Sequence, residues 1–223
     1  MKRYVDLSMM IHEGMQSFPA HWHPYVEITQ MGRHGIENRE TRKMVLGTHV
    51  GTHIDAPRHF IPDGRTVEHI PLSQLNGPAL LLDFSHLLPR AELDAPELAA
   101  AAAGRSVERL VLRFDGDLRL GTTAYYEDQP FLTEAAAQWL VDNGCRVLAM
   151  DVAQPDNPKN GRNAPKDGPN HKILLGAETV LVEYLVNLRE IGADTFELIV
   201  APLKIRDGDG APSRVFAIVD SGN

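Results

Sequence analysis

The sequence holds a single cysteine, Cys145, among its 223 residues. That excludes an intramolecular disulfide and a zinc site of the cysteine type, and it suits a reducing compartment. No apolar run approaches the ~18 residues that a membrane-crossing helix needs. The N-terminal stretch "MKRYVDLSMMIHEG" has two basic residues but neither an apolar core nor a small-residue cleavage site, so a cytoplasmic protein is expected. Basic side chains are also scarce: 22 Lys and Arg stand against 30 Asp and Glu, a formal charge of −8. This excludes a sequence-independent nucleic-acid binder, which needs a basic surface. It leaves anionic substrates open, because a bound metal reverses the local sign. The hydrophobic share of 43% and the charged share of 23% are those of a globular chain long enough to build a core. With no internal repeat and no linker, one domain over 1–223 is expected.

Strand-like runs are frequent. "RYVDLS" (3–8), "YVEITQM" (25–31), "RKMVLG" (42–47), "ALLLDF" (79–84), "ERLVLRF" (108–114), "CRVLAMD" (145–151), "TVLVEYL" (179–185), "FELIVAPL" (196–203) and "VFAIVD" (215–220) are short, rich in Val, Leu and Ile, and bounded by turn residues. Two helices are expected. "APELAAAAAG" (95–104) has proline in its first turn and glycine at its end, and "TEAAAQWLVDNG" (133–144) has Thr133 as N-cap and Gly144 as stop. Strands outnumber helices and do not alternate strictly with them. That predicts a mixed α/β domain on a curved or barrel-like sheet, not a doubly wound nucleotide fold. The stretch "QPDNPKNGRNAPKDGPNH" (154–171) is too long and too rich in Pro and Gly for an ordinary connection. It reads as a lid or as a surface insertion.

Chemistry concentrates in "GTHVGTHIDAPRHF" (47–60), where His49, His53, Asp55 and His59 fall within eleven positions of a chain with ten histidines. An extended chain would hold His49 and His53 roughly 13 Å apart, too far for one metal. The segment must bend, and a helical turn with Gly51 between them is expected to bring the two rings onto one face. Imidazole and carboxylate are the ligand set of zinc or manganese. His59 lies beyond Pro57, as a further ligand or as a general base able to trade protons near neutrality. Far away, His171 closes the long loop. Glu183 sits among Val180, Val182 and Leu185, either facing solvent or buried against a partner or a metal.

These residues resemble the cyclase family of metal-dependent hydrolases, which includes bacterial kynurenine formamidases and isatin hydrolase. Its pattern H-x-G-T-H-x-D-x-P-x-H fits His49, Gly51, Thr52, His53, Asp55, Pro57 and His59 without a gap. "YVDLSMMIHEGMQSFP", "HKILLGAETVLVEYLVNL" and "FELIVAPLKIRDGDGAPSRVFAI" are similar to the family's opening, H-x-x-L-L-G and C-terminal segments. The resemblance implies a swivelling β/β/α domain and a homodimer or homotetramer. It implies one or two ions of Zn or Mn: the first on His49, His53 and Asp55, the second on Asp55, His171 and Glu183, with Glu183 able to touch both. It also implies His59 as proton donor and acceptor. Where the formamidases place a tryptophan before the proline of the N-terminal turn, this chain has Phe18.

The expected reaction is metal-assisted hydrolysis of a small aryl formamide or related amide. Ring opening of a cyclic amide or lactone is the alternative, and a non-catalytic metal- or ligand-binding relative is the third reading. Phe18, Trp22, Tyr25 and Phe60 are candidates for an apolar substrate wall, and His21 and His23 can reach the site. Arg58 and Arg113 can pair a substrate carboxylate.

Overall fold

A computed structural model describes residues 1–160 and 166–220. Positions 161–165 of the expected long loop lie outside the described residues.

Among the described residues twelve strands form: β1 (Lys2–Asp6), β2 (Glu27–Gly32), β3 (Thr41–Val45), β4 (His53–Asp55), β5 (Gly77–Asp83), β6 (Glu92–Leu93), β7 (Arg109–Arg113), β8 (Phe131–Leu132), β9 (Val147–Met150), β10 (Val180–Glu183), β11 (Thr195–Pro202) and β12 (Gly210–Asp220). The helices are α1 (Leu72–Leu75), α2 (Ala95–Ala102), α3 (Thr123–Glu127), α4 (Glu134–Asp142) and α5 (Pro169–Gly176). All nine expected strands and both expected helices are present, with shifted ends.

Strands β12, β11, β5, β7, β9, β10 and β4 pair in that order, and β4 pairs back onto β12, so the sheet closes on itself; β1 adds to β12. β5, β7, β9 and β10 run parallel, and the remaining pairs are antiparallel. This is the mixed barrel-like sheet of a swivelling β/β/α domain.

Side-chain alternation along each strand sorts the core into two layers. Val111, Val147, Ala149, Val180, Val182, Val200 and Val215 share one buried cluster with Ile54 and Leu198, the small or branched side chains that fit a barrel interior. Leu80, Leu82, Leu110, Leu112, Leu148, Met150 and Leu181 share the other with residues of α2, α4 and α5. Strands buried on both faces explain why these segments read as nearly continuous apolar runs. α4 begins where Thr133 accepts a hydrogen bond from the Ala136 amide, and α2 carries a reciprocal capping box between Asp94 and Glu97.

The alternation also decides the fate of Glu183. It follows Leu181 by two residues and so leaves the barrel on the helix-covered side, where it is only 4% exposed. His53 and Asp55 flank the inward Ile54 and leave on the same side. The β2–β3 hairpin stands outside the barrel with Met31 and Met44 exposed.

Candidate metal centre

β4 is only three residues long, yet its register assembles most of a polar cluster. His53 pairs with Glu183 across β10 and with Pro212 across β12; Asp55 pairs with Leu181 and Gly210. α5 supplies His171 from its first turn. Its side chain meets Asp156 through Nδ1, and Asp156 also accepts the Asn170 amide at 2.7 Å. Asp156 therefore caps the helix and fixes the histidine in one contact set, leaving His171 Nε2 turned to the centre.

The helical turn expected at 49–53 does not form. Gly51 takes φ +57°, and His53 already belongs to β4. The chain reverses through a residue with no Cβ to clash in that conformation, and the rings of His49 and His53 lie edge to face, 5.1 Å apart. His53 Nδ1 donates to the Gly51 carbonyl at 2.8 Å, which turns the bare Nε2 inward.

Two imidazoles and two carboxylates thus converge. His53 Nε2 is 3.3 Å from Asp55 Oδ1 and 3.6 Å from Glu183 Oε2. His171 Nε2 is 3.5 Å from both Asp55 Oδ2 and Glu183 Oε1. These separations are long for charge-assisted hydrogen bonds. They match the roughly 3.3 Å edges of a polyhedron whose metal bonds are about 2.0–2.2 Å. Glu183 Oε1 is buried without a hydrogen-bond partner. Burial, and then the charge of Asp55, push the Glu183 carboxyl up. Two buried carboxylates sharing one site with an unsatisfied oxygen are costly unless a cation joins them, so the donor set fits a divalent ion.

His49 keeps different company from that expected. Its Nδ1 is 2.7 Å from Asp55 Oδ1 and its Nε2 2.8 Å from Asp209 Oδ2. Burial opposes the charged ring, but Asp55 and Asp209 outweigh it and hold His49 at about 10. The ligand atoms group as His53, Asp55 and Glu183 on one side and His49, Asp55 and His59 on the other. Asp55 is common to both sets. Gly210 makes room for this packing, since a Cβ there would stand 2.5 Å from the His49 ring.

His59 ends a single 3₁₀ turn opened by Pro57, and its ring lies 3.9 Å from that of His49. Burial lowers its pKa, so it stands neutral. One cavity is lined by the six residues His49, His53, Asp55, His59, His171 and Glu183, and also by Phe18, Trp22, His23 and Phe60. Phe60 stacks on His171 at 4.4 Å and is clamped by Gly168, where a Cβ would approach the ring to 2.4 Å. Phe60 is thus a buttress as well as a wall. Phe18 packs edge-on to Tyr126 at 5.9 Å, and Trp22 is 52% exposed at the mouth.

Other expectations fail. Tyr25 is 79% exposed and lies outside the cavity lining, and His21 packs against Trp22 instead. Arg58 pairs with Asp63 on the surface, while Arg113 pairs with Asp83 and Asp115. Each arginine already has a carboxylate partner away from the cavity. Asp156 and Asp209 are not marked as site residues by the sequence. Both sit in polar, glycine- or proline-rich segments where an acid looks like a turn residue, although a metal-ligating histidine usually has such a carboxylate behind it.

The family model called Cyclase matches residues 5–157. The chain belongs to the cyclase family of metal-dependent hydrolases. A kynurenine formamidase of Bacillus cereus is 28% identical over 213 residues, covering 95% of each chain. Isatin hydrolase A of Labrenzia aggregata, solved with benzyl benzoate, has a TM-score of 0.86 at 26% identity, covering 98% of this chain and 94% of that one. An isatin hydrolase bound to the product analogue thioisatinate has a TM-score of 0.87 at 27% identity, over 98% and 92%. Membership in the cyclase family accounts for the closed sheet. A third acidic group, Asp115, Asp117 and Asp151, also brings carboxylates together. Arg113 and Arg189 pair two of its members.

Proposed function

We propose that this protein hydrolyses the C–N bond of a small aryl formamide or related amide, using one or two zinc or manganese ions and His59 as general acid and base. The observation that carries the reading is the buried Glu183 carboxylate, its Oε1 without a hydrogen-bond partner, set against His53, His171 and Asp55 in the lining of the cavity that holds His59. His53, Asp55, Glu183 and His171 would hold an ion, with His49 the further ligand beside Asp55. A divalent cation supplies polarisation of a carbonyl oxygen and lowers the pKa of water to about 7.

The chain's own residues do the rest. Gly51 and Asp156 orient the two ligand histidines. His59, neutral, accepts a proton from the attacking water and returns it to the departing nitrogen. Phe18, Trp22 and Phe60 make the apolar wall. The cavity encloses about 170 Å³. A cavity of about 150 Å³ admits benzene, so a substrate with a single ring fits. A homodimer or homotetramer is the assembly that the family resemblance implies.

Ring opening of a cyclic amide or lactone is the second reading, favoured by the TM-score of 0.87 to an isatin hydrolase and by Phe18 in place of the formamidase tryptophan. Chelator-treated protein reloaded with Zn or Mn should cleave formanilide, and the metal-free control should not. Faster opening of a cyclic lactam would select the second reading. Formanilide turnover that persists in verified metal-free protein would sink both.

A further inference from the structure

Asp209 belongs to no expected ligand set, yet one of its oxygens serves two histidines. Oδ2 is 2.8 Å from His49 Nε2 and 3.4 Å from His59 Nδ1. Its backbone is fixed as well: the Asp209 carbonyl accepts the Ala56 amide at 2.9 Å, just past the end of β4. The neighbouring position is restricted to glycine by the His49 ring. Asp209 thus stands beside the closely spaced, tilted His49 and His59 rings, outside the lining of the cavity.

We propose that Asp209 is the positioning residue of the reaction: its carboxylate receives the Nδ1 proton of His59, so that Nε2 is the nitrogen that meets water and substrate. This rests on the proposed function for the role of His59, but the pairing itself is a property of the metal-free chain. The chemistry is that of any carboxylate behind a proton-transferring imidazole. It fixes the tautomer and the ring direction, and its charge stabilises the imidazolium formed when Nε2 takes a proton. The 3.4 Å separation suits a resting state, since such bonds shorten when substrate binds. Because Asp209 does not touch the cavity, its loss should slow the chemical step without weakening substrate binding.

Two measurements test this. Long-range ¹H–¹⁵N NMR spectra of metal-free wild type, with the His59 signal assigned by its loss in His59→Gln, should show the Nδ1–H tautomer. The Nε2–H tautomer would overturn the proposal, whatever the activity. At saturating metal, Asp209→Asn should lower kcat on formanilide by about 10- to 100-fold, the usual cost of removing a partner behind a working histidine, with KM within about twofold. Unchanged kcat would overturn the proposal. So would a loss that excess metal restores, because Asp209 would then serve metal retention through His49. If wild type hydrolyses neither formanilide nor a lactam with metal bound, the functional reading fails, while the tautomer still decides the pairing.

Discussion

Replacing His59 by alanine is expected to leave the fold and the metal content intact and to cut kcat on an amide by about 10²–10⁴-fold, the usual worth of a positioned acid–base group. The position explains the split. Pro57 opens the turn that carries His59 past the end of β4, so its ring lies beside His49, outside the group that joins His53, Asp55 and Glu183. An amine anion is a very poor leaving group, so an amide cannot be cleaved without a proton donor. An ester with an activated leaving group has no such need and should lose far less. Elemental analysis alongside the kinetics separates the roles. If His59→Ala is purified without metal, His59 is a ligand together with His49 and Asp55, the grouping their ligand atoms permit. If amide turnover persists at the wild-type rate, the base lies elsewhere in the cavity, with His23 next.

The second large effect is expected at Glu183. Its carboxyl is pushed up by burial and then by Asp55, so in the metal-free protein its charge opposes folding. Glu183→Gln should therefore melt no lower than wild type when both are stripped of metal. With metal added, the order should reverse. Wild type at a thousandfold excess over Kd gains about 4 kcal/mol, which for a chain of this size is a rise on the order of 10 °C in Tm. Most of that rise should vanish in Glu183→Gln, and metal retained through purification should fall well below wild type. His53→Ala should behave alike in metal content. An undiminished metal-induced shift in Glu183→Gln would remove Glu183 from the centre.

Glu183 also shows what a sequence does and does not disclose. A carboxylate in "TVLVEYL" is equally consistent with a solvent-facing position. The ambiguity ends only when β4 closes the barrel against β10 and places His53 opposite it, a long-range pairing with no local signature. β4 itself is hidden for a related reason: three residues between Gly51 and Pro57 are too few to display a strand period. The long buried strands were legible because both faces are covered and their composition is uniformly apolar. α2 and α4 were legible through their caps. α5 was not, because Gly168 and Pro169 end a polar loop and begin a helix with the same residues. The donor types of the histidine motif could be read directly. Their partners Asp156 and Asp209 could not, since only the folded chain shows which acid stands behind which ring.

We place the proposed divalent ion in the cluster on the helix-covered side of β4 and β10. Anomalous diffraction from crystals of the Zn- or Mn-loaded protein tests this placement most directly. A strong peak is expected within bonding distance of His53, Asp55 and Glu183, about 2.0–2.2 Å for zinc. A peak only at Asp115, Asp117 and Asp151, or none between the two strands in protein shown to carry metal, would contradict it.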